Sequence, residues 1–423
     1  MKKVISIVLC ALLLAAMSGC GGGEGGEAVM NAVYPEGIAY DDTDALIAIR
    51  QENEVDETFL AGLAEFAYES AAELLKNNGE NKNYSPLSLY YALALAASGA
   101  GGQTAEELFS LLGLTDADYL SEQCGRLFRR LYTDNEVGSL RIANSLWLDS
   151  EVGGEEISFK EEFLNRASES FYASLYEVDF SESATASLMF RWIADNTKST
   201  LEPEISLDPN QMMSIINAVY FCDQWLSSFS ESATASDSFT LADSSTISCD
   251  FMNRTDSSGS YATGEGYTRA SLALKNRGTM VFVLPDEGLS PYALIENLGL
   301  RELLEGGEYG SGEVVWKLPK FSFDSKFELA ETLKTLGVSS AFDESADFSG
   351  ISDAASFISD IRQETHIAVD EMGVEASAYT QIDFATSSLP AGRAEMLLDR
   401  PFIFAIMTEG VPLFIGVCEN PTA

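Results

Sequence analysis

Residues 369–399, VDEMGVEASAYTQIDFATSSLPAGRAEMLLD, constrain this chain more than any other stretch. Strand-like runs flank them, residues 365–369 before and residues 401–407 and 412–417 after. Between the flanks lie roughly 25 residues without a helical apolar stripe, and a connection that long inside a compact domain is usually functional or disordered. Val374, Ala376, Ala378, Thr380, Ile382 and Phe384 take every second position, with Glu375, Ser377, Tyr379, Gln381 and Asp383 between them. That is the period of a half-buried β-strand. Gly373 and the small residues after it would thread between neighbouring strands without clashing. The stretch reads as a loop able to become a strand; an ordinary strand already paired in a sheet gives the same alternation.

Charge narrows the partners. The chain carries 66 acidic and 25 basic residues, a formal charge of −41. Such a surface repels nucleic acid and anionic membranes, and makes a polyanion a poor activator. The acids are scattered rather than massed, as on a solvated surface. With 423 residues, 46% of them hydrophobic, there is ample material for a large core.

The start is an export signal. Lys2 and Lys3 precede an apolar run over residues 4–17, followed by Ser18, Gly19 and Cys20. The run is too short to span a membrane. Cysteine after small residues resembles the bacterial lipoprotein cleavage box, with Met17 a departure from it. The resemblance implies a signal peptide over residues 1–19, lipid on Cys20, and a flexible tether over residues 20–45 that includes the glycines of residues 21–26. The protein would then be held on the outer face of the cytoplasmic membrane or released; a plain signal peptide cut nearby is the alternative. Cys124, Cys222, Cys249 and Cys418 remain, without CxxC or metal-site spacing. They read as buried free thiols, with one disulfide left open in an exported protein.

Catalytic signatures are missing. The only histidine is His366, in a strand-like run, so a Ser-His-Asp triad would have to use it. There is no GxSxG, no GxGxxG after a strand and no phosphate loop, and one histidine cannot build HExxH. Carboxylate-only hydrolysis or calcium binding stays formally open, although no DxDxDG-like run supports it. The expectation is a non-enzyme without metal or cofactor.

Read in order, residues 56–75 form an amphipathic helix. Ser85 and Pro86 suit a helix start, and the nearly all-apolar helix that follows should be buried. Residues 99–102 end it, and Thr104 begins another. Residues 141–148, 171–180, 279–285 and 318–323 read as strands, and residues 327–336 as a helix.

Several of these segments resemble the serpins. VDEMGVEASAYT, then DRPFIFAIM and PLFIGVCENP, is similar to that family's reactive-loop hinge and closing strands. SPLS before a buried helix and GAxGxT, then SIINAVYFCDQWLSSF, then GVSSAF and ADFSGIS, follow in family order. The matches run from about Ala61 to Pro421. The resemblance implies an α+β fold with a single serpin domain over residues 46–423. It would have a large central mixed sheet, two further sheets, about eight or nine helices and an exposed reactive loop near residues 371–399.

It also implies function. The protein would inhibit an extracellular serine protease as a suicide substrate, acting as a monomer. The hinge would comprise Glu371, Gly373, Val374, Glu375, Ala376, Ser377 and Ala378. Ser85, Ser88, Asn217, Trp225 and Gln363 would form the region where the sheet opens. Counting fifteen residues from Gly373 puts the reactive bond between Ser387 and Ser388, suited to an elastase- or subtilisin-like protease. Bonds after Phe384, Thr386, Leu389 and Arg393 are alternatives. The chain has Val374 where threonine is usual, Phe190 where asparagine is usual, and Gln363 where many relatives have histidine. Glu375 is expected on the outer face, where its charge stays wet. A surface binding protein that uses this fold without trapping is the second reading, and a small-molecule enzyme with a carboxylate site the third.

Overall fold

The computed structural model describes residues 28–76, 79–359, 361–375 and 392–423. Ten helices are present among them: α1 (Thr43–Glu52), α2 (Glu57–Leu74), α3 (Pro86–Ala97), α4 (Gly102–Leu111), α5 (Ala117–Leu131), α6 (Glu161–Ser170), α7 (Ser183–Asn196), α8 (Pro291–Leu298), α9 (Leu300–Glu305) and α10 (Ala330–Thr335). The strands are β1 (Lys82–Tyr84), β2 (Thr133–Asp134), β3 (Gly138–Leu148), β4 (Glu151–Val152), β5 (Glu155–Glu156), β6 (Ala173–Glu177), β7 (Met213–Gln224), β8 (Ala235–Thr240) and β9 (Thr246–Gly264). They continue with β10 (Tyr267–Ala273), β11 (Gly278–Pro285), β12 (Glu308–Pro319), β13 (Phe321–Glu328), β14 (Arg362–Val369), β15 (Gly373–Val374), β16 (Arg393–Leu397), β17 (Phe402–Thr408) and β18 (Val411–Cys418). Ten helices exceed the eight or nine expected; α9 and α10 have only six residues each, too short for a readable stripe.

Three sheets form. The seven-stranded sheet has the order β13-β14-β15-β7-β3-β2, with β6 added to β3 in parallel. The nine-stranded sheet has the order β1-β18-β17-β11-β10-β9-β12-β16, with β8 on β9. A small β4-β5 hairpin is the third. The main core draws on both large sheets and on α2, α3 and α5. A second core lies on the other face of the seven-stranded sheet, where Met189, Trp192 and Ile193 of α7 cover Ala143, Trp147 and Ala218.

α3 explains its own composition. The Ser85 side chain caps it by accepting from the Ser88 N–H, and Pro86 takes the first turn. The helix packs against α2, β7 and β18, so no side is left for a polar face.

Four expectations need correcting. Residues 318–323 are not one strand: β12 ends at Pro319 and β13 starts at Phe321 in the other sheet, with Lys320 at the crossing. Residues 327–336 are not all helix, because β13 continues to Glu328 to complete its ladder with β14. The strand expected over residues 171–180 shrinks to β6. Nor are residues 28–45 a loose lead-in. Met30 bridges to Leu175 at the edge of β6, Ala32 N–H donates to Ser174 Oγ at 3.0 Å, and Tyr34 stacks on Phe128 and Tyr132. An edge strand offers unpaired backbone groups, and this segment takes them up. Residues 1–27, with Cys20, lie outside the described residues. Cys124, Cys222, Cys249 and Cys418 are all free thiols, so the open disulfide is not formed.

Candidate hinge and strand slot

The base of the long loop is tied down residue by residue. After β14 the chain turns, and Asp370 Oδ1 accepts the N–H groups of Met372 (2.8 Å) and Gly373 (3.2 Å). The short β15 then pairs on both sides, with Val374 opposite Val369 of β14 and Asp223 of β7. Gly373 must be glycine, because a Cβ there would lie 2.1 Å from the Asp223 carbonyl oxygen. Val374 is buried in the main core.

Trp225, the residue after β7, is also buried. Its indole N–H donates to the Asp370 carbonyl and its backbone N–H to the Met372 carbonyl, both at 2.9 Å. Glu371 accepts from Thr234 Oγ1 and pairs with Lys320 Nζ, both at 2.8 Å. Burial pushes its carboxyl up, but the Lys320 and Thr234 contacts outweigh that and hold it below the usual range.

Among the described residues, β15 alone pairs with both β14 and β7. Among the described residues, β7 and β14 have no pairing with each other, although each pairs fully on its far side. A cleft continues the line of Val374 and Glu375 between them, lined by Val219, Phe221, Ile367 and Asn83 among others. β7 has 12 residues, of which Asp223 and Gln224 already pair with β15, so ten remain along the slot.

Under this slot lies the second group of sequence-predicted residues. Gln363 and Ser85 exchange hydrogen bonds, Ser85 N–H to Gln363 Oε1 and Gln363 Nε2 to Ser85 O, both at 2.9 Å. Ser85 Oγ donates to the Leu413 carbonyl at 2.8 Å and caps Ser88. The cluster therefore links β14, α3 and β18. Asn217 is not part of it: its amide donates to Asn144 Oδ1 at 2.7 Å, and Asn144 in turn to the Phe171 carbonyl at 2.6 Å. Asn217 Oδ1 is buried with no hydrogen-bond partner among the described residues.

So the structure brings Glu371, Gly373, Val374, Glu375 and Trp225 together at the top of the slot, and Ser85, Ser88 and Gln363 together beneath it. Ala376, Ser377, Ala378, Ser387 and Ser388 lie outside the described residues. Glu375 corrects its expectation. Its side chain is 10% exposed rather than wet, and burial raises its carboxyl to about 7. Thr200 and Leu201, after α7, line the same cleft as Glu375, and Lys198 pulls its carboxyl down against the effect of burial. Sequence reasoning missed Lys320, Asp370, Asn144 and Cys222. Of these only Lys320 left a trace, as the one charge inside LPKFSF.

The described residues thus define a protein in which a long loop is anchored by its base, β15, between two strands of a large mixed sheet. The family model for Serpin (serine protease inhibitor) matches residues 61–421, and the chain belongs to that family. It is 30% identical over 371 residues to Serpin-Z7 of Hordeum vulgare, covering 81% of this chain and 90% of the relative. It is 29% identical over 391 residues to Serpin B11 of Homo sapiens, covering 84% and 98%. Among solved structures, the thermophilic serpin tengpin in its native state aligns with a TM-score of 0.79 at 27% identity, covering 94% of this chain and 100% of tengpin. Family and fold together support a serine protease inhibitor mechanism in general, and members of this family are generally inhibitors rather than catalysts.

Proposed function

We propose that this chain inhibits a serine protease as a suicide substrate. The observation that supports this reading is the loop base β15, held between β14 and β7, which among the described residues have no pairing with each other. A protease serine attacks the loop and forms an acyl-enzyme. The cut loop then zips downward from Val374, completing the ladder before water releases the ester. Ten further rungs along β7, at about 3.3 Å each, would carry the acyl-enzyme roughly 33 Å. Trapping succeeds when insertion outruns deacylation.

The reactive bond is assigned to Ser387 and Ser388, whose small side chains suit an elastase- or subtilisin-like protease. Cys20 is assigned the lipid anchor that holds the inhibitor outside the cell, within reach of such an enzyme. No cofactor is needed, since the energy comes from completing the sheet.

Mixing the purified protein with elastase and running a denaturing gel tests the reading. A covalent band at the summed mass is expected, with mass spectrometry of the loop giving the bond after Ser387. Clean cleavage without adduct would overturn trapping in favour of a binding protein on the same fold; thyroxine-binding globulin, solved with thyroxine, aligns at a TM-score of 0.70 and 25% identity.

A further inference from the structure

Residues 28–34 precede the family match, which begins at residue 61, yet they are fixed to the body. Val29 N–H donates to the Leu175 carbonyl and Leu175 N–H to the Met30 carbonyl, both at 2.8 Å. Ser174 Oγ accepts from Ala32 N–H, and the rings of Phe128 and Tyr132 take up Tyr34. The inward side of this segment is therefore used.

Its outward side is apolar and bare. Val29 is 68%, Met30 43% and Val33 82% exposed, three of the eight large apolar side chains exposed among the described residues. The other five are scattered from Ile47 to Phe357. Single exposed apolar side chains need no explanation, but three within five residues make a patch.

Charge near the patch also differs from the chain as a whole. Against a formal −41, Arg50 and Arg130 share the one carboxylate of Glu409, and Arg141, close to Tyr34, pairs with Asp134. The local balance is near neutral, so this face lacks the repulsion that the full charge sets up against a lipid surface. Glu36 and Glu177 are the exposed acids at its two ends, Glu177 standing opposite residue 28 when the Met30–Leu175 register is continued. What lies between the patch and the assigned anchor is short. Eight residues lead from Cys20 to residue 28, a reach of at most about 28 Å.

We propose that the outer face of residues 29–33 rests on the lipid bilayer that holds Cys20, and sets the β6 edge of the seven-stranded sheet against it. This deepens the anchor reading above and rests on it. Val29, Met30 and Val33 enter the interfacial zone, while Glu36 and Glu177 stay among the headgroups and water. Interfacial binding scales with the apolar area buried, so three side chains alone bind weakly. The short tether makes the contact effective by keeping the patch at high local concentration.

The consequence is orientation. Leu175 lies opposite Leu146 of β3, itself opposite Ile215 of β7. The loop base pairs with β7 at Asp223, eight rungs or about 26 Å further along, and three strands in from β6. With the β6 edge on the lipid, β15 stands clear of it, open to a protease arriving in solution.

The test uses the full chain purified from bacterial membranes, with lipid on Cys20 checked by mass spectrometry. It is placed in phosphatidylcholine vesicles whose acyl chains carry bromine, which quenches tryptophan only at close range. The four native tryptophans are buried and give a low background. The emission added by Val33→Trp should be quenched at least about twofold, as for a side chain in the interfacial zone. Leu226→Trp, at an exposed position beside the hinge turn, should not be quenched. Val29→Asp combined with Val33→Trp should lose the quenching while the chain stays on the vesicles. Quenching kept in that double variant would mean that the tether alone brings the segment close, and the contact would be wrong. No quenching at Val33, or as much at Leu226, would overturn it too. A chain recovered from the soluble fraction with Cys20 unmodified would instead end the anchor reading, and this contact with it.

Discussion

Val374 and Glu375 sit side by side and face opposite ways, and their chemistry is opposite too. Val374 is 2% exposed and belongs to the main core. An arginine there would put an unpaired guanidinium among apolar side chains, at a cost of several kcal/mol. Val374→Arg should leave the folded body intact but keep β15 out of the sheet. The ratio of covalent adduct to cleaved chain on a denaturing gel should then fall more than about tenfold. Glu375 gives a pH dependence. Its folded-state value, about 7, lies above the ordinary carboxylate value of 4.5, so the folded protein holds this proton longer than the unfolded chain. The associated stability is complete below pH 4.5 and is lost as pH rises through about 7. The full effect is about 3 kcal/mol. Asp223, also raised to about 7 by burial, acts in the same direction. The melting temperature of intact wild type should therefore fall between about pH 5 and pH 8, and Glu375→Gln should fall less steeply. A parallel fall in the two proteins would mean that Glu375 is not the buried titrating group described.

At the level of elements, the link between β14 and the start of α3 rests on one side chain. Gln363 both accepts from and donates to the Ser85 backbone. Replacing it with leucine would strand the buried Ser85 N–H, while the Ser85 carbonyl keeps the Leu89 N–H at 3.4 Å, for about 1–3 kcal/mol. Gln363→Leu should lower the melting temperature of the intact protein, while Gln363→Glu should keep the bond from the Ser85 N–H and lose only its partner. How well such elements could be read from sequence depended on whether their pattern had a local cause. β7 was legible through the resemblance carried by SIINAVYFCDQWLSSF, and α3 because serine and proline mark its start. The serpin resemblance and the α+β fold built on these segments are borne out. The residues over 318–328 were misread because the change of sheet at Lys320 and the continuation of β13 are tertiary. Both are set by ladders to β9 and β14, not by periodicity. The same holds for residues 28–45, whose order comes from the free edge of β6. Asn144 opposite Asn217 on β3, and the residues after α7 that line the cleft with Glu375, required knowing which elements are neighbours.

For the molecule as a whole, the proposed reading requires that the uncut protein does not use all the pairing its sheet can make. Among the described residues, β15 supplies only two residues between the facing edges of β7 and β14. Buried backbone groups seek partners, so on the proposed reading the tethers at both ends of the loop are what hold insertion back. Cutting the loop removes one tether. Ten added rungs, netting even about 0.5 kcal/mol each, would contribute about 5 kcal/mol. At roughly 2 °C per kcal/mol for a large domain, the melting temperature should rise by about 10 °C or more. Calorimetry of intact and subtilisin-nicked protein at one pH measures this directly. The gain should vanish in Val374→Arg, whose first rung cannot form, and survive in Glu375→Ala, whose first rung is intact. A gain equal in all three would place its source elsewhere than the slot, for instance in relief of strain within the cut loop itself.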